Sequence, residues 1–592
     1  MDRRDFVASL LAASTVTATE GTLFAQATPK PPSFAGIPAT LTTLPLIAKR
    51  YDGRSGNAVF SGTIPLRPGQ LRSGQLGNVS LWDGDEDLPI SVQDLGPIHP
   101  DGSLKVLQVQ ASVELNSGGL KPLTLRLDEA PASGTVSGIT IDEAWMTNPT
   151  LLACSDPAHL CASHVALGPL VPITHPGLPS HWVKSLLSEF DTVEKHFPNY
   201  GRPIELWKQR VSPSQTSASW PNYAGGATYN ALYPMYCRYL ITGNIDDLRN
   251  AHGIASWSEG WPFTMREQSH TNCITNAESG ERFTINFDYP DPPANVAGYP
   301  ASLSEWNSGN ARDLYMCWVM SGWRQARGAG IGWGMRAIQT GQSDASVYGG
   351  RFDWRFQREA AIYMRMFNID EPLRFSLPDV FTVTARASSD SSWWADHFQT
   401  HHFDKYEAWA STHDASDYRH GIWGHHSKFN PYGNGTAIPN FQFITVFYTI
   451  YFLQMNAHAD RSDRTWDQLE TLADLMRRQT SGPFGDTWGP TDALYAIRYR
   501  ESDPANGGPA GLGGDTQYSC SMMTPLFAWA WAKTGDSRFL EVIDRHNTNA
   551  SWTINNAGSA GTGWKQVGEF FGGLYHAAAW RAGVEHDGWD PD

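Results

Sequence analysis

The chain has few cysteines, no excess of basic charge and, beyond its first segment, no long apolar run. Six cysteines across 592 residues cannot form a disulfide framework, and C-x-x-C does not occur. Lys and Arg total 44 against 60 Asp and Glu, a net charge of −16, which argues against a general nucleic-acid binder. After the N-terminus no apolar stretch approaches the roughly 20 residues needed to cross a bilayer. H-E-x-x-H, G-x-S-x-G, the P-loop and a strand-linked G-x-G-x-x-G are all missing, so metalloprotease, nucleophile-elbow and nucleotide-binding chemistry have no motif support. With 41% hydrophobic and 18% charged residues, the composition is that of a folded protein.

Aromatic residues and glycine are abundant: 24 Trp, 21 Tyr and 26 Phe beside 55 Gly. Arginine outnumbers lysine 33 to 11, which favours planar, bidentate recognition of carboxylates. Arg3-Arg4 precedes a short apolar run to Val16 and a small-x-small site at Ala25-Gln26-Ala27. That order predicts a twin-arginine-type export signal over 1–27 and a periplasmic or secreted protein. Residues 28–50, rich in Pro and Thr, read as an extended leader. In an oxidising compartment Cys154 and Cys161 are close enough in sequence to pair, whereas Cys237, Cys273, Cys317 and Cys520 read as buried thiols.

Residues 51–130 alternate short β-branched runs with Gly, Pro and Asp turns and predict a small antiparallel β-barrel or sandwich. Its clearest strand runs from Leu104 to Leu115 with a period near two and polar Lys105, Gln108, Gln110 and Glu114, so one face is expected in water. Pro100-Asp101-Gly102 supplies the turn before it, and Leu120 to Leu127 forms another strand. Residues 131–204 read as a mixed β and linker region.

From about residue 205 to 592 the spacing becomes helical, notably over Ala224–Leu240, Ala311–Arg327, Phe441–Asn456 and Phe570–Ala582. A weak echo links Tyr229–Leu248 with Ser521–Leu540: each is an amphipathic helix closed by Thr-Gly-Asn or Thr-Gly-Asp. The Gly suits a left-handed cap, and a second helix follows. Such hairpins cannot bury their faces singly, so a large (α/α) toroid over 205–592 is the expected catalytic domain of a multidomain α+β protein.

Phe60-Ser61-Gly62-Thr63-Ile64-Pro65-Leu66, Pro68-Gly69, Leu81-Trp82-Asp83-Gly84, Leu88-Pro89-Ile90-Ser91-Val92-Gln93 and Pro100-Asp101-Gly102-Ser103-Leu104-Lys105 together resemble the N-terminal barrel of the exo-rhamnogalacturonan lyase family. The resemblance covers roughly residues 55–130, although His99 and Val106 stand where that family tends to have Trp. The helix hairpins are similar to the (α/α) toroid of polysaccharide lyases and glycoside hydrolases. It implies a carbohydrate-active enzyme.

Seven of the 19 histidines lie between His397 and Tyr432. The segment from Asp417 to Gly435 is too broken by Gly and Asn for a helix, so it reads as a loop presenting its side chains. Eliminative cleavage of a uronate polymer needs a carboxylate neutraliser, a base for the C5 proton and an acid for the leaving oxygen. The expected catalytic set is His425 as base or neutraliser, Tyr432 as acid, and Asn430 and Arg419 as carboxylate binders. His420, Trp423 and His426, with Trp220, Tyr223 and Asn230, are the expected substrate-binding residues, their rings serving as stacking platforms. No cofactor is expected; the rival use of the histidines is a divalent metal at His397 and His401, spaced i,i+4, completed by Asp404 or His413. The expected partner is an anionic poly- or oligosaccharide, with neither nucleic acid nor stable membrane insertion after signal removal. A glycoside hydrolase using Asp417, Asp515 or Glu569, or a non-catalytic glycan-binding protein, remain the alternatives.

Overall fold

Strands β1 (Thr43–Arg50), β2 (Gly56–Pro65), β3 (Ser80–Asp83), β4 (Glu86–Leu88), β5 (Ile90–Asp94), β6 (Val106–Leu115), β7 (Leu120–Arg126) and β8 (Thr150–Cys154) form one eight-stranded sheet in the order β4-β3-β7-β1-β8-β2-β6-β5. They belong to a computed structural model that describes residues 41–96, 99, 101–132, 150–187, 232–258 and 311–322, short strand pieces between 265 and 376, and 531, 535–537 and 572–583. All pairings are antiparallel except the single parallel bridge of β2 to β8, Ser61 to Leu151. The sheet curls until β4 touches β6.

Alternation decides the inner face. Leu44, Leu46 and Ala48 of β1, Phe60 and Ile64 of β2, Leu107, Val109 and Ala111 of β6, and Leu123 and Leu125 of β7 are all buried. Each Leu, Ile, Val or Phe among them contributes about 1.5–3 kcal/mol of burial and each Ala less, so this apolar interior carries the domain. At Gly62 the backbone of β8 comes so close that a Cβ would collide with the Leu152 carbonyl. Glycine is the residue that permits this crossing of β2 and β8.

Two boundaries move. The last eight residues of the stretch read as a leader, Thr43–Arg50, are a central strand paired to β7 and β8. Within the stretch read as a mixed β and linker region, Thr150–Cys154 inserts between β1 and β2. All five of its residues are buried, so it shows no alternation.

The outer face of the sheet is covered as well over β2 and β8, while Thr43 and Pro45 of β1 and Leu120 of β7 stay exposed. Helix α1 (Pro157–Ala162) follows β8, with Asp156 capping it by accepting from the Ala158 N–H at 2.9 Å. Helices α2 (Tyr233–Thr242), α3 (Ile245–Ser258), α4 (Ala311–Ser321) and α5 (Gly572–Arg581) come from far along the chain. Helix α4 lies against β2, α3 against β8, and α2 contacts α1, α3, α4 and α5. Tyr51 helps to fasten β1 to α3: its hydroxyl donates to Asp246 at 2.7 Å, Lys49 bridges the same carboxylate at 2.6 Å, and the Arg249 guanidinium lies 4.1 Å from the Tyr51 ring centre.

The expected caps are present. Gly243 ends α2 in the left-handed conformation, φ 66°, its N–H reaching the Tyr239 carbonyl at 2.7 Å. Gly535 repeats this, φ 68°, with its N–H on Trp531 at 2.8 Å. Gly322, φ 75°, does the same to α4, which therefore stops at Ser321 and not at Arg327. A four-stranded sheet, β12-β10-β11-β9, built from β9 (Met265–Arg266), β10 (Cys273–Asn276), β11 (Arg282–Ile285) and β12 (Phe375–Ser376), lies within the stretch read as helical. Among the described residues no helix is long and apolar enough to cross a membrane.

Candidate functional site

The residues predicted to carry chemistry, His425, Tyr432, Asn430 and Arg419, and the predicted substrate contacts Trp220, Tyr223, Asn230, His420, Trp423 and His426, lie outside the described residues. So do His397, His401, Asp404 and His413. Among the described residues no group of three His, Cys, Asp or Glu is placed to hold a metal ion.

Two buried polar centres do assemble. The first joins distant helices. The Leu167 N–H donates to the Tyr233 hydroxyl at 2.9 Å, and that hydroxyl lies 2.9 Å from His576 Nε2. His576 Nδ1 lies 2.8 Å from the Pro169 carbonyl, which can only accept, so Nδ1 carries the proton and Nε2 accepts from Tyr233. Asp313 on α4 caps α2 from outside, accepting from Leu232 and Tyr233 N–H groups at 3.2 and 2.8 Å. The Arg312 guanidinium sits 4.4 Å from the Tyr233 ring centre. A Cβ at Gly168 would come within 2.5 Å of the His576 ring, so the close fit needs glycine there. Nearby, Tyr236 and His252 Nδ1 are 3.0 Å apart, and burial lowers His252 to about 3. Tyr233 and His576 are fully enclosed with their hydrogen bonds engaged, so this pair joins structure and does not face a substrate.

The second centre is the outer face of β2, where Ser61, Thr63 and Pro65 alternate with inward Phe60 and Ile64, with Arg67 two residues past the strand's end. Thr63 stands opposite Gln108 and Ser61 opposite Gln110 on β6. All four of those polar residues are buried, as is Lys105, so the face of β6 expected in water is covered there, whereas Glu114 near the strand's end is exposed as expected. The Ser61 and Thr63 hydroxyls, Arg67 Nε and Nη2, and His159 Nδ1 have no hydrogen-bond partner among the described residues.

The segments Pro65–Gln70 and His99–Lys105 together hold Arg67. Leu66 N–H continues the β2–β6 ladder to the Lys105 carbonyl at 2.8 Å. His159 Nε2 donates to the Pro65 carbonyl at 2.8 Å and His99 Nε2 to the Leu66 carbonyl at 2.9 Å. Arg67 N–H donates to Gln70 Oε1 at 2.6 Å, and its carbonyl accepts from Gln70 N–H at 3.2 Å. Behind this, Asp101 accepts from the Ser103 N–H and hydroxyl at 2.9 and 2.6 Å, and Gly69 N–H donates to Ser103 Oγ at 2.8 Å. Gly102, φ 77°, makes the turn possible.

Burial dominates the electrostatics. It lowers His99 to about 3 and His159 to about 4, and Lys105 and Arg67 respectively push the same way. Burial also lowers Arg67 from the usual guanidinium range, opposed by the attraction of Asp156. Cys154 is pushed up to about 12 and Cys161 also upward, both by burial. The two are free thiols, not a disulfide, and the Cys161 thiol points to the Leu240 carbonyl at 3.4 Å. Cys237 and Cys317 are buried thiols, as their apolar surroundings in sequence suggest.

Arg67 and His159 are absent from the sequence-derived site. The available signal was the alternation of Ser61, Thr63 and Arg67 opposite an apolar face. Comparison of the chain with known protein families, curated proteins and solved structures finds no match.

Proposed function

We propose that the protein is an exported polysaccharide lyase that cleaves a uronic-acid-containing polysaccharide by β-elimination. The observation that carries the reading is the concentration of seven histidines with Arg419, Asn430 and Tyr432 in one Gly-broken segment between His397 and Tyr432. His425 takes or assists removal of the C5 proton, Arg419 and Asn430 hold the adjacent carboxylate, and Tyr432 returns a proton to the leaving oxygen. The resemblance of residues 55–130 to a lyase barrel and the excess of Arg over Lys support an anionic sugar substrate. The twin-arginine-type start supports a periplasmic or secreted place of action.

Incubation with acidic and neutral glycans tests this by absorbance at about 235 nm, where an unsaturated uronate absorbs, alongside reducing-end release. Both signals are expected on a uronate polymer. His425→Ala and Tyr432→Phe are each expected to cut turnover by about 10²–10⁴-fold while the far-ultraviolet circular dichroism is kept. Reducing ends without absorbance would identify a hydrolase, and binding without either signal a glycan-binding protein.

A further inference from the structure

We propose that Arg67 forms a carboxylate-binding site in the seam between the sheet and the helices that cover it. The two unpartnered nitrogens, Nε and Nη2, lie on one edge of the guanidinium, where their N–H bonds run parallel. That edge fits the two oxygens of a carboxylate side-on. Arg67 is only 9% exposed, and a buried charge without hydrogen bonds is costly enough to call for a partner. The neighbouring acceptors are already engaged: the Pro65 carbonyl by His159, the Leu66 carbonyl by His99, and the Arg67 carbonyl by Gln70. Asp156 caps α1 through Oδ1 and attracts Arg67 without a hydrogen bond or ion pair to it.

His159 adds selectivity. With its Nε2 proton on the Pro65 carbonyl, Nδ1 is a bare acceptor, also unpartnered. The Thr63 and Ser61 hydroxyls, earlier in the chain on β2, are likewise enclosed and unpartnered, so a ligand that enters the seam would find a charged donor fork, a neutral acceptor and hydroxyls without competing partners. A ligand bearing a carboxylate and a hydroxyl, such as a sugar acid or hydroxy acid, matches this set. The inference does not depend on the lyase reading, because it uses no residue of the segment from His397 to Tyr432.

Thermal unfolding of the full chain, at constant ionic strength and pH 7, tests the site with sodium acetate, glucuronate, glucose and phosphate. Acetate and glucuronate are expected to raise the midpoint saturably, and glucose is not. Stronger binding of glucuronate than of acetate would assign a sugar acid; equal binding would assign a simple carboxylate. Arg67→Lys keeps the charge but loses the fork, and is expected to weaken binding about tenfold or more. His425→Ala, which removes the proposed base, is expected to bind both ligands as the unaltered chain does, so loss of turnover and loss of this site are separable. No saturable rise, an equal rise in Arg67→Lys, or a rise with phosphate alone would overturn the proposal.

Discussion

Where Phe60, Ser61, Thr63 and Ile64 of β2 lie beside Leu107–Ala111 of β6, both faces are buried and they are chemically opposite. Inside the curl, Phe60 and Ile64 meet Ala111 and Leu107 in an apolar interior. Outside, Ser61 and Thr63 meet Gln110 and Gln108 under the helices, with Arg67 beyond them. Burial of the first face stabilises the fold through area removed from water. The second face gains less, because each enclosed polar atom needs a partner to offset its desolvation. The difference separates a surface built for cohesion from one on which the Ser61 and Thr63 hydroxyls are enclosed without partners among the described residues.

The largest test of that contrast is on the inner face. Phe60→Ala is expected to cost about 4 kcal/mol by removing a fully buried ring, measured by urea unfolding. A cost under about 1 kcal/mol would show that the interior is not the main source of stability. Asp313→Ala comes next, at about 3 kcal/mol, because the Leu232 and Tyr233 N–H groups would be left enclosed without an acceptor. Asp313→Asn keeps one acceptor and should recover part of that loss.

Acid sharpens the comparison further. His99, His159 and His252 are held neutral when folded, near 3, 4 and 3, below the ordinary value of 6.5. The unfolded chain therefore binds more protons between those values and 6.5, so stability is full above pH 6.5 and falls as the pH drops toward 4. Each histidine is expected to cost about 2 kcal/mol by pH 5, and His159→Gln should flatten the fall measured by unfolding across pH 4–7. The smallest effect is expected from Thr63→Val. Its hydroxyl has no partner among the described residues, so an apolar replacement should change stability by less than about 1 kcal/mol, toward greater stability. A loss of 2 kcal/mol or more would mean that the hydroxyl is satisfied after all, and the contrast between the faces would weaken.

How far the sequence exposed this architecture depended on what covers each element. The strands β6 and β7 were legible from their period of two, the Asp101–Gly102 turn from its residue types, and the Gly243 and Gly535 caps from a repeated Thr-Gly-Asx pattern. Strand β1 was hidden because Pro and Thr dominate its approach, although Leu44, Leu46 and Ala48 alternate within it. Strand β8 was hidden because it is covered on both sides, which removes the alternation that marks a strand. Polar Gln108 and Gln110 read as a wet face, since nothing local announces helices arriving from residues beyond 230. Arg67 sat inside the quoted motif, yet its isolation depends on which carbonyls His99 and His159 occupy, and those contacts span 33 and 94 residues. The proposed catalytic residues, His425 to Tyr432 among them, lie outside the described residues, and their reading rests on composition and chemistry.

The bond between Tyr233 and His576 ties residues 343 positions apart. During synthesis the tyrosine must wait for nearly the whole remaining chain before its acceptor exists. Until then α2 lacks α5 as a neighbour, and Gly168 has no ring to fit against. Assembly around this point is therefore a late event for the ribosome's product, and a chain interrupted before residue 576 would leave the helices over the sheet unlatched.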